Sequence, residues 1–381
     1  MINYTKHQID NFDIRSVVNV LRSKSLTQGN QVLKFEKNLC RYFGAKYSLA
    51  LNSATSALHL TCEALKNKNY FKKQIVWTSP NSFVSSSNCA LLSGMKVDFV
   101  DIDLNTFNIS ISSLKKKLEI SKKIKKLPSI VIVVHFGGLP CDMKEIYNLS
   151  KKYKFKIIED ASHAAGSKYF NTKIGDCFYS DATIFSFHAA KNFTTGEGGA
   201  VLSNNKNLIK KIASLRTHGI MNKNQLNHKR WFYKQNFLGL NYRMTDIQAA
   251  LGITQLNKLS KWVVQRNKIA SIYKRKLFKS HLKLQEIPKG YYSSYHLMVI
   301  LVNSKKINRN KLYNYLLKNK IMCNVHYIPI YRHNFYRRYK SYIKSFNKCE
   351  KYFKKALTLP LYPSLTQKNQ IKIIRLINKA I

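Results

Sequence analysis

Apolar positions along this chain keep two rhythms. Short runs at Gln74–Trp77, Val97–Val100, Ile130–Val134 and Phe155–Ile158 are apolar with little or no alternation. Between them, apolar residues recur every three to four positions over Ala57–Leu65, Phe83–Leu92 and Met143–Tyr153. The first rhythm predicts strands buried on both faces, and the second predicts helices packed against them. Ser53 or Thr55 can cap the first helix, Ser93-Gly94 closes the second, and Thr78-Ser79-Pro80 ends a strand. Strand and helix alternate without repeats, so an α/β fold with a mostly parallel sheet between helices is expected. After Gly252 the texture changes to a long basic helical pattern, Ile253–Phe278. A strand over Tyr295–Val302 and helices near Asn310–Lys318 and Gln367–Ile377 follow. A boundary is therefore expected near residue 260. It separates a large domain with an N-terminal arm (1–260) from a smaller α+β domain (261–381).

The 381 residues suit about two domains, and an apolar content of 45% excludes a disordered chain. No apolar run approaches the ~18–20 residues of a spanning helix, and the polar start MINYTKHQID predicts no signal peptide. Seven cysteines, odd in number and without a C-x-x-C pair, argue against a disulfide scaffold and a cysteine zinc site. They fit thiols kept reduced in a cytoplasm. No His/Cys/Asp cluster has metal-ligand spacing, so no metal is expected.

The net charge of +48 raises nucleic acid as a partner. The lysines, however, are spread over the whole chain and accompany abundant Asn and Ile, the mark of a compositional bias. The densest stretch interleaves aromatics, from Tyr336-Arg337-Arg338-Tyr339-Lys340 to Tyr352-Phe353-Lys354-Lys355. Such a stretch can stack single-stranded bases. It reads more simply as an amphipathic helix with a solvated basic face, and nucleic acid is not the partner expected.

Ligands of α/β sheets sit beyond the carboxyl ends of the strands, and three segments place unusual residues there. Ile157-Ile158-Glu159-Asp160-Ala161-Ser162-His163 ends an apolar strand in carboxylates, which are costly to bury without a cationic partner. Ala182-Thr183-Ile184-Phe185-Ser186-Phe187-His188-Ala189-Ala190-Lys191 ends a strand in a lysine among small, apolar or hydroxylated neighbours. A desolvated lysine of that kind forms imines. Asn52–Ser56 is hydroxyl-rich at a helix start, where free N–H groups can cradle a phosphate. Each segment alone also reads as ordinary structure: a paired acid, one lysine among many, a capped helix. Together they describe a pyridoxal phosphate (PLP) site, with the aspartate keeping the cofactor's ring nitrogen protonated.

The wording then becomes recognisable. LTQG (Leu26–Gly29), NSATSALH (Asn52–His59), SPNSFVSS (Ser79–Ser86), HFGGLPCDM (His135–Met143) and EDASHAAG (Glu159–Gly166) stand in order. FSFHAAKNFTTGEGGA (Phe185–Ala200), NYRMTDIQAALG (Asn241–Gly252), VHYIPIY (Val325–Tyr331) and LPLYPSLT (Leu359–Thr366) continue the series. In order and spacing the chain resembles the DegT/DnrJ/EryC1/StrS family of PLP-dependent sugar aminotransferases.

The resemblance implies a fold type I homodimer with shared active sites. Lys191 would bond the cofactor and move the proton, and Asp160 would pair with its ring nitrogen. His163 would lie near its 3-oxygen, and Phe83 would stack on its ring. Thr55, Ser56 and Ser186 would hold the phosphate, and Asn241 would reach the phosphate of the neighbouring subunit. Thr27, Gln28, Arg243, His326 and Tyr327 are candidates for substrate contact. Some relatives carry His in place of the lysine and are dehydratases; Lys191 favours transamination.

The reaction so implied moves the amino group of L-glutamate to the C4 ketone of a UDP-linked 4-keto-6-deoxy-N-acetylhexosamine, of the pseudaminic acid type. Amination of another ketosugar, GDP-4-keto-6-deoxymannose or a dTDP-sugar, is the alternative within the fold. A PLP-binding sensor and a basic nucleic-acid-binding protein are the alternatives of other classes. His135 and His188 read as packing or supporting histidines.

Overall fold

In the computed structural model of the chain, residues 1–66, 74–220, 232–278 and 280–381 are described, the side chains of 339–344 excepted. Helices α1 (Asn11–Leu21) and α2 (Asn30–Phe43) lead into the strands β1 (Tyr47–Leu51), β2 (Ile75–Thr78), β3 (Lys96–Phe99), β4 (Ile130–Val134) and β5 (Lys156–Asp160). Between these lie α3 (Ala54–Leu65), α4 (Ser85–Leu92), α5 (Ile111–Lys123) and α6 (Met143–Tyr153). Two short strands, β6 (Lys168–Tyr169) and β7 (Thr172–Lys173), precede β8 (Ala182–Ser186) and β9 (Gly199–Ser203). The large sheet runs β1-β9-β8-β5-β4-β2-β3, parallel from β8 to β3, with β9 antiparallel to both its neighbours.

The apolar runs explain why this sheet is sandwiched. On β4, Val131 and Val133 enter one core with residues of α2, α6 and the later helix α8 (Asp246–Lys276). Ile130 and Ile132 enter the other, with α3, α4 and α7 (Lys206–Leu215). Burial on both faces is what a run without alternation requires.

Helix α8 spans 31 residues and passes residue 260 without a break. Its N-terminus carries a capping box of Thr245 and Gln248. The Asp246 carboxylate accepts N–H bonds from Gly29 (2.7 Å), Gln31 (2.8 Å) and Val32 (3.2 Å), so it caps α2 from far along the chain. Beyond α8 lie β10 (Leu282–Leu284), β11 (Tyr291–Tyr292), β12 (Met298–Val302), α9 (Arg309–Lys318), α10 (Asn347–Lys355), β13 (Ala356–Leu359) and α11 (Gln367–Ala380). Strands β10, β12 and β13 form an antiparallel sheet, and β11 joins β6 and β7 in another. One face of β12 (Met298, Ile300, Val302) packs on α8, α9 and α11, while Val299 and Leu301 turn to the core of the large sheet.

The basic aromatic stretch forms a 3-10 turn over Asn334–Ser345 followed by α10. Tyr336 and Tyr352 are buried, bonded to Ser87 Oγ (2.9 Å) and to the carbonyl of His326 (2.6 Å). The side chains of Tyr339 and Lys340 lie outside the described residues. All seven cysteines are free thiols; six are buried and Cys40 is half-buried. Among the described residues no helix is long and apolar enough to cross a membrane.

Candidate active site

Asp160 is the last residue of β5, two positions beyond the expected strand end, and is 4% exposed. Its Oδ2 accepts from Ser86 Oγ at 2.7 Å, and its Oδ1 accepts from the Ser162 N–H at 3.2 Å. Glu159, one residue earlier, points to the opposite face. There it accepts from Ser180 (2.5 Å) and Thr183 (2.8 Å) and meets His135 Nε2 at 2.7 Å. Burial pushes the Glu159 carboxyl up, but His135 and the two hydroxyls outweigh it and hold the acid below its usual range. His135 is thus the hydrogen-bonded histidine expected, with Nδ1 accepting from the Cys141 N–H at 3.0 Å.

Lys191 follows β8 on a loop fixed from several sides. Asn192 donates to the Ala165 carbonyl (3.0 Å), Phe193 is buried, and Thr194 Oγ1 donates to the Phe187 carbonyl (2.9 Å). The lysine amine makes no hydrogen bond or ion pair among the described residues. Desolvation lowers its pKa to about 8, against the opposing pull of Asp160 and Glu197. His188 is exposed; its Nδ1 accepts from the Ala190 N–H, and its carbonyl accepts the Lys191 N–H.

His163 is buried beside this lysine. Its Nδ1 accepts from the Gly137 N–H (3.3 Å), so Nε2 bears the proton and donates to Tyr327 Oη at 3.0 Å. Burial, Lys191 and His326 together keep the imidazole neutral, its pKa well below the ordinary value. The loop can come this close because of Gly138, at φ +97. A Cβ there would stand 2.5 Å from Ser294 Oγ and 3.0 Å from the His163 carbonyl. Phe83 is 58% exposed, with its ring 6.2 Å from that of Tyr327. His326 is buried and bonded through Nδ1 to Thr358 Oγ1 at 2.8 Å, and burial followed by Lys191 lowers its pKa to about 3.

The hydroxyl-rich segment starts α3, with Ser53 as the cap: its Oγ accepts the Ser56 N–H at 3.0 Å. Ser56 Oγ donates to Asn52 Oδ1 (2.6 Å) and is buried, whereas Thr55 is exposed and its hydroxyl has no partner among the described residues. Ser186 comes to this helix start through Gly199. The two are register partners on β8 and β9, and a Cβ on Gly199 would stand 2.4 Å from Ala54 N. The first-turn N–H groups of a helix have no intrahelical acceptor. Ser56 commits its own to Ser53 and its hydroxyl to Asn52, so the donors left at this corner beside Ser186 are the Thr55 hydroxyl and the other first-turn N–H groups.

Asp160, Lys191, His163, Tyr327, Phe83 and His326 are likewise gathered at the carboxyl edge of the sheet. Asn241 is exposed and bridges Thr217, while Arg243 bridges Leu51 beside α3. Thr27 and Gln28 are exposed on the turn before α2, Thr27 bridging Thr245 and Gln28 at φ +56. Two participants carried no sequence signal of their own. Ser86 was one hydroxyl in a serine run, and His296, whose ring lies 4.5 Å from that of His163, was read into the strand expected over Tyr295–Val302, which begins only at Met298. The His296 Nδ1 is buried without a partner among the described residues.

PLP needs an amine for its aldehyde, an acid for its ring nitrogen and donors for its phosphate. Lys191, unpaired among the described residues, Asp160 and the corner at Thr55 would fit those three needs. An amine of lowered basicity set against a strand-end carboxylate at this edge of a mostly parallel sheet puts the molecule in the class of fold type I aminotransferases.

The chain belongs to the DegT/DnrJ/EryC1/StrS aminotransferase family, whose model matches residues 7–378. It is 41% identical over 376 residues to the UDP-4-amino-4,6-dideoxy-N-acetyl-beta-L-altrosamine transaminase of Campylobacter jejuni (strain 81-176), covering 97% of this chain and 94% of that one. Helicobacter pylori PseC, an aminotransferase of pseudaminic acid biosynthesis, superposes with a TM-score of 0.90 at 32% identity, over 100% of this chain and 98% of that chain. Spr1654 of Streptococcus pneumoniae, solved in its PLP-form, gives 0.88 at 26% identity, covering 99% of this chain and 97% of that one.

Proposed function

We propose that this chain moves the amino group of L-glutamate, through PLP, to the C4 ketone of a UDP-linked 4-keto-6-deoxy-N-acetylhexosamine. The observation that carries the choice of sugar is the near full-length match to the Campylobacter transaminase at 41% identity. When bound, PLP supplies an electron sink that lets a proton leave the carbon bearing the amine. Lys191, neutral in half its copies near pH 8, takes up that proton and returns it. Asp160 binds the ring nitrogen. His163 and Phe83 border the ring, and Thr55, Ser56 and Ser186 bind the phosphate.

Tyr327 and His326 bring the C-terminal sheet to the site, and with Thr27, Gln28 and Arg243 they face the nucleotide sugar. The active species is a homodimer in which Asn241 completes the phosphate site of the partner. The exposed leucines just before Asn241 in the chain (Leu238, Leu240) support that assembly. The free thiols support a cytoplasmic setting.

The test is a panel of UDP-, GDP- and dTDP-linked ketosugars with L-glutamate, read by mass spectrometry of the aminated product. The UDP-linked N-acetylhexosamine ketone should be converted fastest. Faster turnover of a GDP- or dTDP-sugar would overturn the substrate assignment.

A further inference from the structure

We propose that Ser86 is a positioning residue for Asp160, and that a directed chain of two serine hydroxyls sets how this carboxylate meets the cofactor's ring nitrogen. The proposal rests on the site reading above and adds a residue to it. Asp160 is buried at the end of β5, so its lone pairs must be met from within the fold. Ser86 Oγ stands 2.7 Å from Oδ2, and the Ser162 N–H reaches Oδ1 at 3.2 Å.

An ionised carboxylate only accepts, so the one hydroxyl proton of Ser86 is committed to Asp160. Ser82 Oγ lies 2.7 Å from Ser86 Oγ and must therefore be the donor in that pair. The order is set through three buried groups: Ser82 donates to Ser86, and Ser86 donates to Asp160. A hydrogen bond whose donor already accepts another is polarised and strengthened. A donor on each oxygen also holds the plane of the carboxylate, leaving the remaining lone pairs in one orientation toward the ring.

The neighbouring serine shows that this is not a general property of the run. Ser87, the next residue on α4, donates to the Val84 carbonyl (3.0 Å) and pairs with Tyr336 Oη (2.9 Å), away from the acid. It supplies the control: a hydroxyl on the same helix, equally buried, with a packing role only.

Ser86→Ala, Ser86→Thr, Ser82→Ala and Ser87→Ala are to be compared with the parent as PLP-loaded protein. The measurements are the kcat–pH profile, the pH titration of the bound cofactor's visible band, the PLP dissociation constant and the melting temperature. Loss of a bond to a charged group in Ser86→Ala should lower kcat by about tenfold or more. It should also displace the acid limb of the profile and of the band titration, because the carboxylate that meets the ring nitrogen has lost a hydrogen-bond donor. PLP affinity should change little, since Lys191 and the phosphate corner are intact.

Ser86→Thr, which keeps the hydroxyl, should restore kcat and both limbs. Ser82→Ala should give a smaller shift of the same sign, and it tests the chain even if Ser86→Ala does not fold. Ser87→Ala should lower the melting temperature and leave the limbs in place. Parent-like kcat and limbs in folded, PLP-loaded Ser86→Ala would overturn the proposal, as would parent-like limbs in Ser82→Ala when Ser86→Ala does not fold. A parent protein that binds no PLP would overturn the site reading itself, a separate result.

Discussion

The amine of Lys191 offers the sharpest quantitative expectation. With a pKa of about 8 instead of 10.5, ~9% of it is neutral at pH 7, against ~0.03% for an ordinary lysine. The enrichment is ~300-fold, and only the neutral amine attacks an aldehyde. Cofactor-free protein mixed with PLP in a stopped-flow instrument should develop its visible band at a rate that climbs with pH and levels off above about 8. The sign follows from the group: below its pKa the lysine is a cation and unreactive, above it the amine is free.

Asp160 and Glu197 pull the value upward against desolvation. Asp160→Asn should therefore carry the midpoint below 8, the reverse of what a simple loss of function predicts. Lys191→Ala should still fold and lack the fast phase. A midpoint near 10.5, or an unchanged fast phase in Lys191→Ala, would refute the reasoning.

Other expectations concern turnover, assembly and stability. Asp160→Asn should retain PLP yet lose turnover by orders of magnitude, because the ring nitrogen lacks its charged partner; wild-type kcat in the PLP-loaded variant would remove Asp160 from its role. Mixing Lys191→Ala with Asn241→Ala subunits should restore part of the activity, since one site of the heterodimer then carries both lesions and the other none. No recovery after verified subunit exchange would count against shared sites. Glu159→Ala should cost about 1–3 kcal/mol by stranding the buried His135 N–H, measured as denaturant midpoint against the parent. Because the native fold holds the Glu159 carboxyl low, its contribution is complete above the unfolded value near pH 4.3 and fades as pH falls through the native one. Acid unfolding of the parent should set in below about pH 4, and a pH-independent midpoint there would contradict this.

Much of the sheet was legible because burial on both faces writes itself as unbroken apolar runs. Ile130–Val134 and Met143–Tyr153 begin and end where the pattern placed them. The apolar run stops at Ile158 because a polar pair breaks it, but Asp160 was legible as the strand-end acid, and ladder bonds carry β5 through both carboxylates. The cap of α3 was narrowed to Ser53 or Thr55, and backbone geometry chose Ser53, releasing Thr55 to the surface. The bond from His163 to Tyr327 joins residues 164 positions apart, and that from Ser86 to Asp160 joins residues 74 apart. No local period carries such information; it depends on loops brought together by Gly138 and by the packing of β12 against the large sheet. Tyr336 and Tyr352 are buried while Arg337, Arg338, Lys354 and Lys355 stay exposed, as the amphipathic reading of that stretch expects; the distant partners of their hydroxyls were not legible in it.

The burial of the thiols gives the molecule its own unfolding clock. Cys40 alone is half-accessible, and burial raises its pKa, so an alkylating reagent should mark it slowly in the folded state. The other six become reactive only when the structure around them opens. Cys62, Cys89 and Cys349 lie on α3, α4 and α10, Cys141 and Cys177 border the opposite face of the sheet, and Cys323 packs beside β12 and α11. Pulse alkylation followed by peptide mapping would thus time the opening of each layer separately, in the unmodified chain and without an introduced probe.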